Sequence, residues 1–208
     1  MNSDFTIKHY YDTIEAYISA GYTFLSCEPV ADRIGETIVM VHDVDHDISL
    51  CEGFLSVEKK LKIPATYYLR LHARGYNMLS QTSIRIAKEI ISSGCFIGLH
   101  YEPMFCPADM PFEAHIKQEM GILSAAVGQP IKYFNLHEPS RTGVSLEKTL
   151  LKKNRCHNSS FFQEYKYLSD SSCNWREGCF SKHVGKYSHL LVLTHPIWWY
   201  NKSPAENY

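Results

Sequence analysis

The chain has 208 residues, 45% of them hydrophobic, which is enough to enclose one sizeable core. Its formal net charge is −1 and no basic run exceeds Lys152–Lys153 in length. That balance excludes the basic footprint of a nucleic-acid binder or an acidic-membrane binder. We therefore expect one domain over residues 1–208. No stretch is apolar for long enough to cross a membrane, and Met1-Asn2-Ser3-Asp4-Phe5 does not read as the start of a signal peptide. The seven cysteines are odd in number and include no CxxC pair. This argues against a disulfide framework or zinc ribbon and for free thiols in a reducing cytoplasm.

Apolar residues at helical spacing predict a helix over Tyr10 to Ala20, stopped by Gly21. A strand over Tyr22 to Cys27 and a turn-rich link follow. Thr37 to Val44 reads as a buried parallel strand. Ser49 and Glu52 form a candidate capping box for a helix that runs to about Leu61. Ala65 to Leu69 is a strand, Gln81 to Ser93 a helix, Phe96 to Leu99 a strand ending on His100. Phe112 to Val127 is a helix and Ile131 to Leu136 a strand ending on His137. A short helix over Ser145 to Lys153, short strands near Arg155 to His157 and Tyr165 to Leu168, and a last strand over Leu190 to Thr194 complete the reading. This alternation predicts an α/β fold with parallel pairing, either an open doubly wound sheet or a closed barrel. No Gly-rich phosphate loop and no Gly-x-Ser-x-Gly elbow are present, which argues against a nucleotide site and a serine esterase.

Chemistry concentrates where strands end. The run His42-Asp43-Val44-Asp45 closes the strand over Thr37 to Val44, and His100, His137 and His195 close three others. In a parallel sheet such ends share one side, where α/β enzymes place their sites. Asp43 and Asp45 are two residues apart and share a face in an extended strand. Two carboxylates there are costly unless a cation lies between them, with one Asp as ligand and the other as base. One Asp with two His is a facial ligand set for a first-row divalent ion such as Zn or Fe, and it leaves room for water. His42 points to the opposite face and reads as a packed or hydrogen-bonded residue. Eleven histidines add weak weight to metal or acid–base chemistry.

Six blocks resemble, in order, the NodB-like polysaccharide deacetylases (carbohydrate esterase family four), in the branch with an HDVD strand end. They are His42 to Asp45, Ile63 to Tyr68, Ile97 to Tyr101, Leu136 to Ser140, Ser169 to Ser171 with Trp175-Arg176, and Leu193 to Pro196. The resemblance implies a distorted (β/α)7 barrel. It also implies metal-dependent release of acetate from an N-acetylated sugar. By the same resemblance Asp43 is the general base, Asp45 a metal ligand, His100 the first His of the second motif and His195 the general acid. Asp170, Trp175 and Arg176 fall at a pocket wall and at the partner that tunes the acid.

Two positions depart from the family pattern. Met104 stands where a second ligand His is usual, and His137 stands where an Arg is usual. We expect His137 to take the missing ligand place, and Arg141 or Arg176 to hold the base. Glu102 and Glu138 are close enough in sequence to be ligands. His72 is a candidate substrate contact, and Trp198, with Trp199 and Tyr200, a candidate sugar platform. The expected cofactor is one divalent ion, Zn with Fe, Co or Ni as alternatives. The expected partner is an acetamido sugar or polysaccharide precursor, and the branch is associated with polysaccharide and lipopolysaccharide biosynthesis. Two rivals stand beside this reading. One is an inactive barrel that binds a precursor or an assembly partner, and the other is a hydrolase of a small cyclic amide.

Overall fold

The computed structural model describes residues 3–27, 35–138 and 164–207. Arg141, the helix expected over Ser145 to Lys153 and the strand expected near Arg155 to His157 lie outside the described residues. The elements follow in the order α1 (Ile7–Ser19), β1 (Thr23–Leu25), β2 (Thr37–Val44), α2 (Cys51–Leu61), β3 (Thr66–Leu69), α3 (Gln81–Ser92), β4 (Phe96–Tyr101), α4 (Phe112–Val127), β5 (Phe134–Leu136), β6 (Lys166–Ser169) and β7 (His189–Thr194).

Local chemistry sets several boundaries. Helix α1 starts earlier than its apolar spacing suggests because Thr6 caps it, accepting from the His9 N–H at 3.0 Å. The expected Ser49–Glu52 capping box does not form. Asp47 instead accepts from the Ser49 N–H at 2.8 Å and opens a 3-10 turn over Ile48–Leu50, after which α2 begins. Glu52 is left to pair with Arg85 at 3.1 Å. Lys62 and Gly128 end α2 and α4 in the left-handed conformation.

All strand pairs are parallel, in the order β5-β4-β3-β2-β7-β6 with β1 added to β2. Strand β2 is the axis and is buried over its whole length. One edge of it pairs with β7 over Thr37 to His42. The other edge takes β1 on Thr37 to Val39 and β3 on Val41 to Val44. The sheet curls into a half-barrel with helices on its outside, the distorted barrel type. Among the described residues β5 and β6 remain its edges.

Period-two alternation along β2 sorts its side chains between two cores. Ile38, Met40 and Val44 pack with Phe54, Tyr10 and other helix residues, and Val39 and Val41 pack on the inner side with Tyr68, Leu191 and Leu193. Asp43 continues the inner row and His42 the outer one. Gly98 has no room for a Cβ, which would stand 2.3 Å from the Tyr68 ring. Cys51 and Cys95 are buried thiols as expected. Cys27, by contrast, is disulfide-bonded, which corrects the expectation of free thiols throughout and weakens the inference of a reducing compartment. No helix among the described residues is long and apolar enough to cross a membrane.

A buried carboxylate ties α2 to the sheet. Glu58, 1% exposed, receives His42 Nε2 at 2.7 Å, Tyr10 OH at 3.0 Å and Tyr67 OH at 2.6 Å. The His42 ring reaches on through Nδ1 to Thr194 Oγ1 at 2.6 Å, so the same cluster joins β2 to β7. Removing such a hub strands several buried polar groups at once. Glu58→Ala should lower unfolding free energy by about 3–5 kcal/mol in urea titrations. A loss under about 1 kcal/mol would contradict the role given to this cluster.

Candidate metal and catalytic site

The upper end of β2 opens into a cleft of about 1270 Å³ lined by residues from the strand ends on both sides of it. Asp43 lies on the inner face, and Asp45 follows just beyond the strand. His100 comes from β4, Asn135 from β5 in register beside it, His137 from the turn after β5, and His195 from the end of β7.

Asp45, His100 and His137 converge. Their potential ligand atoms all lie within 4.8 Å of one another. His100 Nε2 stands 3.1 Å and His137 Nε2 3.6 Å from Asp45 Oδ1. That oxygen is buried and has no aligned hydrogen-bond partner. A buried carboxylate oxygen without a hydrogen bond is costly. One carboxylate and two imidazoles around such an atom fit a divalent first-row ion. A second group, Asp4, His9 and Cys179, also has metal-ligand spacing, but none of the three lines the cleft.

The imidazoles are oriented from behind. Asn135 Oδ1 accepts from His100 Nδ1, which leaves Nε2 directed at Asp45. The same amide donates through Nδ2 to Asp43 Oδ1 at 2.6 Å. Arg70 donates to the Asp45 carbonyl at 2.9 Å and pairs with Glu102. Glu102 Oε1 in turn lies 3.5 Å from His137 Nδ1. Across the cleft His195 Nδ1 is bonded to Asp170 Oδ1 at 2.6 Å, and the His195 N–H donates to Asp170 Oδ2 at 3.1 Å. Trp199 Nε1 donates to the same oxygen at 2.7 Å. His195 Nε2 is then left on the cleft side, 3.9 Å from Asp45 Oδ2.

The charges respond to this packing. Burial alone would raise the Asp45 carboxyl, but His100, His195 and His137 together hold it well below the usual carboxylate range. Burial opposes charge on His100, yet the Asp43 and Asp45 carboxylates raise it. Burial, with the neighbouring His100 and Arg70 cations, lowers His137. His195 is also penalised by burial, but Asp170 dominates and raises it to about 9, with help from Asp43 and Asp45.

The other expected site residues fall in different places. Arg176, His72 and Trp198 line the cleft. His72 is stacked on Phe105 at 4.2 Å between centroids and bonded to Glu119 at 2.7 Å. Asp170 is fully buried behind His195. Trp175 is packed against Phe180 and Trp199 and does not line the cleft. Trp199 and Tyr200 belong to the core. Met104 is 75% exposed at the rim and is not in the ligand cluster. Among the described residues the group bonded to Asp43 is Asn135, not Arg176. Asn135 and Arg70 were missed as site residues, and Trp199, expected on a sugar platform, instead donates to Asp170 from the core. Asn135 had a signal: it lies two positions before His137 on an expected strand, and therefore on the same face.

No protein-family model and no curated protein matches the chain. Solved structures do. One is a family 4 carbohydrate esterase from Bacillus anthracis, with TM-score 0.53 and 20% identity, covering 93% of this chain and 79% of that one. Another is the catalytic domain of a peptidoglycan N-acetylglucosamine deacetylase from Eubacterium rectale, with TM-score 0.51 and 13% identity over 82% of this chain and 80% of that one. A third is a family 4 pseudoenzyme from Bacillus anthracis, with TM-score 0.51 and 15% identity over 86% of this chain and 62% of that one. The chain thus has the fold of the family 4 carbohydrate esterases, the NodB-like polysaccharide deacetylases.

The contact between His195 and Asp170 sets a measurable property of the metal-free protein. The His195 imidazole should titrate near 9 by NMR. In Asp170→Asn the midpoint should fall toward the ordinary imidazole value of about 6.5. An unchanged midpoint would remove Asp170 as its cause.

Proposed function

We propose that the chain is a metal-dependent amide hydrolase that removes an acyl group, acetyl foremost, from an N-acylated sugar or polysaccharide precursor. The observation that carries this is the convergence of His100 and His137 on Asp45 Oδ1, a buried oxygen without an aligned hydrogen bond, with Asp43 and His195 beside the cluster. In this reading Asp45, His100 and His137 hold the ion, and His137 occupies the place that Met104 cannot fill. When bound, a divalent ion acidifies water and polarises the acyl carbonyl.

The protein's own groups do the rest. Asp43, fixed by Asn135, takes the proton from the attacking water. His100 is kept in the tautomer that offers Nε2, because Nδ1 is committed to Asn135. His195, whose charged form Asp170 favours, donates its Nε2 proton to the departing amine. Asp170 is held in place behind the imidazole, accepting from Trp199 Nε1 and from the His195 backbone N–H. The cleft walls bring Trp198 on one side and the His72–Phe105 stack on the other, surfaces of the kind that pack on sugar rings.

A second reading is a barrel that binds a precursor without cleaving it. The exposed Met104 favours it, as does the likeness in fold to a pseudoenzyme. The two readings separate on Asp43. Acetate release from acetamido sugars should be abolished by chelator and restored by added metal. In Asp43→Asn it should drop by about 10²–10⁴-fold while bound metal is unchanged. Retained turnover in Asp43→Asn would refute the assigned base, and absence of acetate from every acetamido sugar tried would favour the binding reading.

A further inference from the structure

We propose that the acylated sugar taken by this cleft carries an oxyanion, as a phosphate ester or a carboxylate, held by Arg74 and Arg176. This rests on the reading of the cleft as an acyl-sugar site and adds the substrate's charge. The argument begins with the cleft's ionic groups. Its acidic residues are Asp43, Asp45, Glu102 and Glu138. Arg70 already pairs with Glu102 and binds the Asp45 carbonyl, so its charge is committed inside the wall. Asp43 and Asp45 face the imidazoles and the proposed ion. The cleft is further lined by Glu138 and by two guanidinium groups, Arg74 and Arg176. Both are exposed, and neither forms an ion pair or hydrogen bond with a described residue. The acid nearest Arg176 in sequence, Glu177, is taken by Lys166.

Neither arginine hangs on a loose loop. Gly75 rests against the strand-end backbone so closely that a Cβ would lie 2.1 Å from the His46 carbonyl oxygen. Tyr76 OH donates to the Val44 carbonyl at 3.1 Å and accepts from the Arg70 N–H at 2.8 Å. The loop bearing Arg74 is therefore held to the end of β2 by the two residues that follow Arg74. Across the cleft, Ser172 and Cys173 take left-handed φ values of 60° and 55°. This turn leads to Trp175, whose ring is buried against Phe180 and Trp199, and so Arg176 leaves the core at a fixed point. Such conformations in non-glycine residues persist where the surroundings hold them, often at binding sites. The backbone beneath each arginine is thus held, and a guanidinium fork suits phosphate or carboxylate oxygens. A neutral glycan offers these forks nothing that water does not.

The test compares three acetamido sugars: N-acetylglucosamine, its 1-phosphate and N-acetylmuramic acid. Binding is measured by calorimetry on the metal-loaded protein, and acetate release in parallel. One or both charged sugars should bind at least about 10-fold more tightly than the neutral one, with the preference falling as salt rises. The phosphate and muramate arms identify which oxyanion is meant. Arg74→Gln and Arg176→Gln should each shrink the charged-to-neutral ratio about 5-fold or more, and Arg→Lys at either position should restore part of it. Equal binding of neutral and charged sugars, or ratios unmoved in both Gln variants, overturns the proposal whether or not acetate is released. Preferential binding of a charged sugar without acetate from any of the three instead sinks the hydrolase reading and leaves the anion site standing.

Discussion

The structure depends on how charge is carried at the end of one buried strand. Asp43 and Asp45 lie beyond an apolar run that cannot solvate them. Two carboxylates in so dry a place require compensation. The fold brings in His100 from β4, His137 from beyond β5 and His195 from β7, together with the Arg70–Glu102 pair. Parallel pairing makes this possible, because it collects the carboxyl ends of all strands at one side. Even so, Asp45 Oδ1 has no aligned hydrogen bond, and with His100 and His137 beside it the donor set fits a divalent cation.

A second polar layer stands behind the first. Asn135 binds both His100 and Asp43, so one amide sets the tautomer of a proposed ligand and the position of the proposed base. Asp170 does the same for His195, with Trp199 as a further donor. On the outer face of β2, Glu58 and His42 reach Thr194, the residue before His195. The spacing between the proposed acid just beyond β7 and the carboxylates at the end of β2 is thereby fixed from both faces of the sheet. Catalysis by preorganised groups needs this kind of support.

Much of this was readable from residue order because strands announce their ends. The run over Thr37 to Val44 matched β2 at both boundaries, and α4 matched over Phe112–Val127, since β-branched runs and Gly128 are unambiguous signals. Strand ends in one parallel sheet placed Asp43, Asp45, His100, His137 and His195 on one side; the family resemblance singled out Asp45, His100 and His137, whose ligand atoms do lie together. What sequence could not deliver were contacts that depend on tertiary packing. Asp47 outcompeted Ser49 as a cap once the β2–α2 turn closed tightly. Trp175, placed at a pocket wall by the family resemblance, packs instead against Phe180 and Trp199. The task assigned to Arg141 or Arg176 is met, among the described residues, by a neutral amide, which no charge-based reading would select. Cys27 shows the same limit for covalent pairing.

The substitution of a rim methionine for an expected ligand makes His137 the position on which the account turns. The most direct measurement is metal content per chain after reconstitution and removal of free ion, in the wild-type protein, Asp45→Ala, His137→Ala and Met104→Ala. The account predicts one divalent ion bound at the strand-end site in the wild type and in Met104→Ala. That ion should be lost from Asp45→Ala and lost or weakened by about 10–100-fold or more in His137→Ala. A wild-type protein that binds no metal, or a His137→Ala protein that holds it as tightly as the wild type, would contradict the ligand set and the hydrolase reading built on it.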